Sequence, residues 1–140
     1  MLVKPWLNKR KFKTELLYRK TKDDSKPDEF HNRCDNKGIT ITLIETTKGY
    51  KFGGYTELNW DKSGTNKVDK STFIFSFYNK QKYNANTIIA CFSDESPRFG
   101  CGWPEIYFHE TLDKGQSYDH ESSTFLRNNL LANGEQNLDV

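Results

Sequence analysis

Nowhere does this 140-residue chain approach the roughly 20 consecutive apolar residues of a membrane-spanning helix. Its opening, MLVKPWLNKRKFK, has neither an apolar run nor a small-residue cleavage site, so neither direct membrane insertion nor secretion is expected. Cysteine is scarce and odd in number. Cys34, Cys91 and Cys101 match no paired spacing, which points to free thiols in a reducing, cytoplasmic compartment. Charge of one sign is also missing: 21 Lys and Arg against 19 Asp and Glu leave +2, too little for a whole-molecule field toward nucleic acid or an anionic membrane. No internal repeat, low-complexity tract or heptad is visible.

What the chain does have is aromatics. With 34% hydrophobic residues but 14% aromatic, the core must be built from a few large side chains, chiefly the 10 Phe, 7 Tyr and 3 Trp. The length fits one domain. Within the near-neutral total, Met1 to Lys22 holds eight Lys or Arg and one Glu, whereas Ser93 to Thr124 holds seven acids and two bases. A basic N-terminal extension over residues 1–15 is expected, with Trp6, Leu7 and Phe12 as its anchors onto a domain spanning 16–140.

Leu16–Arg19 reads as a short strand. In TKDDSKPDEF, Ser25 before Pro27 and Asp28 predicts a helix from about Lys26 to Asn36, capped by Ser25 and ended near Gly38. ITITLIET then alternates Ile39, Ile41 and Leu43 with threonines, and Lys48-Gly49 turns it into Tyr50-Lys51-Phe52 as a β-hairpin. Residues 60–69 read as a loop, TFIFSFY as a strand with Phe73, Phe75 and Phe77 on one face, 80–86 as a connector, and TIIACF as a buried strand. SPRFGCGW is a bend, Ile106–Phe108 a strand and residues 113–123 a polar excursion. Asn133-Gly134 signals a late hairpin, with Leu138 and Val140 beginning a strand that the chain does not finish. The fold class is α+β, mostly β: two antiparallel sheets packed as a sandwich with a few short flanking helices.

No constellation carries catalysis. His31 and Cys34 are three apart on the expected helix, but zinc needs two further ligands, and no second closely spaced Cys or His pair supplies them. Thiol catalysis needs a depressed thiolate pKa, a group orienting the base and an oxyanion site, none of which is read from a helical HxxC. Cys101, between Gly100 and Gly102, is the better redox candidate, since a loop thiol is open to oxidants. Glu105, His109 and Glu110 lie close in sequence, which 19 acids make unremarkable. The pair Gly53-Gly54 lacks the following helix and Lys-Ser/Thr of a phosphate loop. It fits a bulge or a close backbone approach, with Tyr55 and Trp60 covering the opening. KFKTELLYRKTK carries basic charge, yet its leucines favour packing over base stacking, and no nucleic-acid partner is expected.

Taken in order, LLYRKTKDD, DEFHNRCDNKG, ITLIETTKGYKFGGYTELNW, KSTFIFSFYN and SPRFGCGWPEIYF closely resemble the TLDc domain of eukaryotic oxidation-resistance proteins, from about Leu16 to the end of the chain. No metal or cofactor is expected, and the resemblance implies a two-sheet sandwich with flanking helices and no established catalytic residues. It also implies a role in oxidative-stress protection through protein partners, among them subunits of the vacuolar proton-pumping ATPase, with location in the cytoplasm or at acidic organelles through such a partner. Phe30, His31, Cys34, Asp35 and Gly38 match the family's first motif, Phe52, Gly53, Gly54, Tyr55 and Trp60 its second, and Phe99, Gly100 and Gly102 its third. Family domains usually carry a longer final strand than this one, and Cys101 stands where a small residue is common. The alternative function is a direct peroxide scavenger or redox sensor using Cys34 or Cys101.

Overall fold

The hairpin expected after the helix is the seed of the first sheet. A computed structural model of the protein describes residues 4–7, 11–24, 26–45, 49–68, 70–78, 80–83, 88–100, 106–108, 114–116 and 137–139. In chain order its elements are a 3-10 turn (Lys4–Trp6), α1 (Pro27–Cys34), β1 (Thr40–Glu45), β2 (Lys51–Thr56), β3 (Thr65–Val68), β4 (Phe73–Ser76), β5 (Gln81–Tyr83), β6 (Ile88–Cys91), β7 (Arg98–Phe99), β8 (Tyr107–Phe108), β9 (Lys114–Gln116) and β10 (Asn137–Asp139).

Two antiparallel sheets result. The first runs β1-β2-β4-β5. The second runs β3-β6-β7, and the antiparallel bridge of Phe99 with Ile106 carries it on to β8-β9-β10. Because side chains alternate along a strand, register decides which residues face the other sheet. Ile44, Phe52 and Ile74 from the first sheet meet Ile89, Cys91, Phe99 and Ile106 from the second, and Phe30 and Cys34 of α1 close one side of the cluster with Trp60. Phe52, Ile74, Ile89, Phe99 and Ile106 keep essentially no exposure. A smaller cluster of Leu7, Tyr55, Phe73 and Phe75 occupies the opposite face of the first sheet. This is the α+β sandwich expected, with α1 and one 3-10 turn as the helices among the described residues.

Several local expectations are corrected. Leu16–Arg19 is not a strand: the Arg19 N–H turns back to Asp23 Oδ2 at 2.8 Å, and the Asp23 N–H donates to the Arg19 carbonyl at 2.8 Å, so these groups serve a turn. Residues 65–68, 81–83, 98–99 and 114–116, read as loop, connector, bend and polar excursion, are strands. They are two to four residues long, and their backbones are recruited by neighbouring strands whatever their side chains, so no hydrophobic pattern marks them. In β1 the core takes Ile44, out of phase with the Ile39, Ile41 and Leu43 series; Ile39 and Leu43 stay exposed at the sheet edge. The helix is shorter than expected, with Lys26 at the N-cap making no side-chain cap bond. Ser25, Cys101, Gly102, Glu105, His109, Glu110, Asn133-Gly134 and Val140 lie outside the described residues.

Of the N-terminal anchors, Leu7 is buried, Trp6 is half-buried and Phe12 is exposed. No described helix is long and apolar enough to cross a membrane.

Candidate functional site

The first motif is built on α1. Pro27 sits at the first helical position, where its missing N–H costs nothing, and Asp28 and Glu29 face the positive end of the helix. Phe30, His31 and Cys34 share the buried side. At Asp35 the backbone turns extended (φ −65°, ψ 140°), ending the helix; Asn36 then adopts φ +56° and donates its N–H to the Trp60 carbonyl at 3.0 Å. Gly38 follows at φ +75°, its N–H donated to Asn59 Oδ1 at 2.7 Å. The exit of the helix is thereby clamped to the end of the second motif.

His31 is 2% exposed and bonded at both ring nitrogens. Nδ1 is hydrogen-bonded to Asp35 Oδ1 at 2.7 Å. Nε2 lies 2.9 Å from the Phe92 carbonyl and 3.0 Å from that of Glu95; both groups only accept, so Nε2 carries the proton they share. The imidazole thus ties α1 to the turn after β6, and neither nitrogen faces solvent. Among the described residues no three His, Cys, Asp or Glu side chains are grouped to hold a metal ion.

Cys34 is 7% exposed; burial, and then the Asp35 charge, pushes its thiol up to about 12. Cys91 is fully buried in β6, and burial raises it too; its thiol faces the Asn59 carbonyl at 3.8 Å. Both are therefore thiols, not thiolates, at neutral pH.

The second motif crosses the first sheet. Gly53 and Gly54 lie on opposite faces of β2, and each face uses the absence of a side chain differently. On the inner face a Cβ at Gly54 would stand 2.5 Å from Cε1 and Cζ of Phe99, so that ring rests directly on the β2 backbone. On the outer face a Cβ at Gly53 would strike the Thr42 carbonyl oxygen of β1 and come within 2.8 Å of Phe75 Cζ. Pairing runs unbroken on both sides of β2, from Thr42–Gly54 and Leu43–Gly53 to Gly54–Ile74 and Gly53–Phe75. The close approach is present; the bulge is not.

Trp60 joins the three motifs. Its ring is edge-on to Phe30 at 5.6 Å and to Phe99 at 5.4 Å, and its Nε1–H donates to Thr40 Oγ1 at 2.9 Å. Phe99 belongs to the third motif, and Gly100 beside it takes φ +96°, a left-handed conformation that favours glycine, while donating its N–H to the Ile88 carbonyl at 2.6 Å. Phe30, Cys34, Phe52, Trp60 and Phe99 belong to one cluster, in which Phe99 rests on Gly54, His31 packs against Phe30 and Asp35 bonds His31; Gly53 and Tyr55 face the other side of the sheet.

The family model for the TLDc domain matches residues 2–140. The chain belongs to the TLDc domain family. A similar protein, the MTOR-associated protein MEAK7 of Danio rerio, is 36% identical over 45 residues. That match takes in 32% of this chain and 10% of the relative, so the chain spans a small part of that protein's length.

Three residues of this TLDc domain carry more of the arrangement than their sequence signals. Asn59 accepts from Gly38 through its side chain and from Lys67 Nζ (2.9 Å) through its carbonyl. Thr56 and Thr72, fully buried, share a hydroxyl bond of 2.9 Å between the end of β2 and the residue preceding β4. A polar residue inside a motif stretch is the one hint at Asn59; nothing in the sequence pairs the two threonines.

Proposed function

We propose that this TLDc domain is a non-catalytic protein-interaction domain in protection against oxidative stress, working in the cytoplasm and docking on the vacuolar proton-pumping ATPase at acidic organelles. The observation that carries this reading is where its motif residues go. His31, Phe52, Trp60 and Phe99 are buried, the His31 ring is bonded at both nitrogens, and Cys34 is enclosed as a neutral thiol. Residues committed in this way build a scaffold, and what a scaffold offers a partner is its surface. The relative from Danio rerio is by name mTOR-associated, which makes an mTOR-containing assembly a second partner to look for.

The test is affinity purification of the tagged protein from peroxide-treated cells, with quantitative mass spectrometry of what accompanies it. Pump subunits enriched over a control carrying an unrelated domain are the expected result. Their reproducible absence while other proteins are recovered overturns the pump assignment. A peroxide-scavenging activity has less support, because Cys34 is enclosed. Sulfenic-acid labelling at Cys34 or Cys101 of the folded protein at low peroxide would reverse that preference.

A further inference from the structure

The first sheet has a second apolar face that the sandwich core does not use. Register places Leu43, Gly53, Phe75 and Lys82 in one row across it and Ile41, Tyr55 and Phe73 in the next. Tyr55 stacks on Phe73 at 5.0 Å, Phe75 packs against Phe77 at 5.3 Å, and the Lys82 ammonium stands 4.7 Å over the Phe73 ring. The chain's own N-terminal turn lies on this face. The Trp6 ring meets Phe75 at 5.6 Å and Phe77 at 6.2 Å, and Leu7 is buried in the same cluster.

Among the described residues the hold is made by side chains. The turn's hydrogen bond is internal, from the Leu7 N–H to the Lys4 carbonyl at 3.2 Å, and residues 11–19 beyond it form no helix or strand. The cover also stops short of the sheet edge. Leu43, on the same face as Phe75, is 60% exposed, and Ile39, just before β1, is 54% exposed.

We propose that this face is a peptide-docking site, filled in cis by Trp6 and Leu7, where a partner protein's linear segment with an adjacent aromatic and aliphatic side chain takes their place. The arm itself displays the chemistry that fits: a flat ring against Phe75 and Phe77 beside an aliphatic side chain. Simple release of the arm would expose this aromatic cluster to water, so exchange is favoured over opening. A partner segment that continues along β1 also covers Leu43 and Ile39, both exposed. This site is separate from the buried motif cluster and does not depend on which stress-linked partner the domain serves.

The probe is the labelled peptide MLVKPWLNKRKFK, residues 1–13, read by fluorescence anisotropy against the full chain. A tethered segment competes at an effective concentration of about a millimolar. A full chain carrying Trp6→Ala and Leu7→Ala, shown by its thermal transition to be folded, should therefore bind the probe at least about tenfold more tightly than the unaltered chain. A probe with Trp6→Ala should not bind. Equal affinity for the two chains, no binding by the folded variant, or equal binding of the altered probe overturns the proposal. Should the variant not fold, the unaltered chain labelled with fluorotryptophan decides: excess probe is expected to move the Trp6 fluorine signal to its position in free peptide, and an unmoved signal at saturating probe refutes exchange.

Discussion

Replacing Gly54 by alanine adds one methyl group at a point where three atoms of the Phe99 ring already lie 2.5–2.6 Å from where its carbon would be. The ring has little room to withdraw, since Phe99 is fully buried and Trp60 stands against it at 5.4 Å. Overpacking of this kind costs about 1–3 kcal/mol. The ordinary gain from replacing a strand glycine, about 0.5–1 kcal/mol, offsets part of it. The net loss of about 1–2 kcal/mol corresponds to a Tm lower by roughly 3–6 °C in a domain of this size. Gly53→Ala should be worse, because its methyl meets the Thr42 carbonyl oxygen, a backbone atom that can yield only by parting β1 from β2. Thermal unfolding followed by near-UV circular dichroism measures both. The decisive comparison is Gly54→Ala in a Phe99→Leu background, where the smaller side chain makes room and the alanine should cost at least about 0.5 kcal/mol less. An unchanged Tm for Gly54→Ala, or an identical cost in the two backgrounds, refutes the packing argument.

His31→Ala strands the Phe92 and Glu95 carbonyls and should lower stability by about 2–4 kcal/mol, with His31→Gln recovering part of it; denaturant unfolding tests this. Cys34 and Cys91, pushed up by burial, should resist iodoacetamide at pH 8 in the folded protein and react once it is unfolded, as peptide mass spectrometry would record. For Asp61, burial raises the carboxyl, but bonds from Lys67 and Ser63 outweigh it and bring it to about 2, from an ordinary 3.8. A folded-state value below the unfolded one stabilises above pH 3.8, and that contribution fades as the pH falls toward 2. Stability of Asp61→Asn should accordingly depend less on pH across this window, as denaturant midpoints would reveal.

The sandwich was legible from the sequence where local chemistry and burial agree. Alternation in ITITLIET and TFIFSFY, the apolar run TIIACF and the Pro27–Asp28 helix start all correspond to observed elements, because each signal is carried by neighbouring residues, as a period, an apolar run or a residue type that starts a helix. The short strands β3, β5, β7 and β9 left no such trace, since their main-chain groups are paired by neighbours that only folding brings alongside.

The candidate site divides along the same line. That FGGYTELNW requires glycine, and that His31 and Cys34 share a helical face, follows from residue type and spacing, which act over a few residues. Which obstacle each glycine avoids, Phe99 from the second sheet at Gly54 and Thr42 from the neighbouring strand at Gly53, depends on segments 11 to 45 residues away and on the face that register assigns. The same holds for His31, whose carbonyl partners lie 61 and 64 residues along the chain. Local preference sets which elements form; long-range packing sets what each side chain meets, and so whether a motif residue is free for chemistry or enclosed as framework.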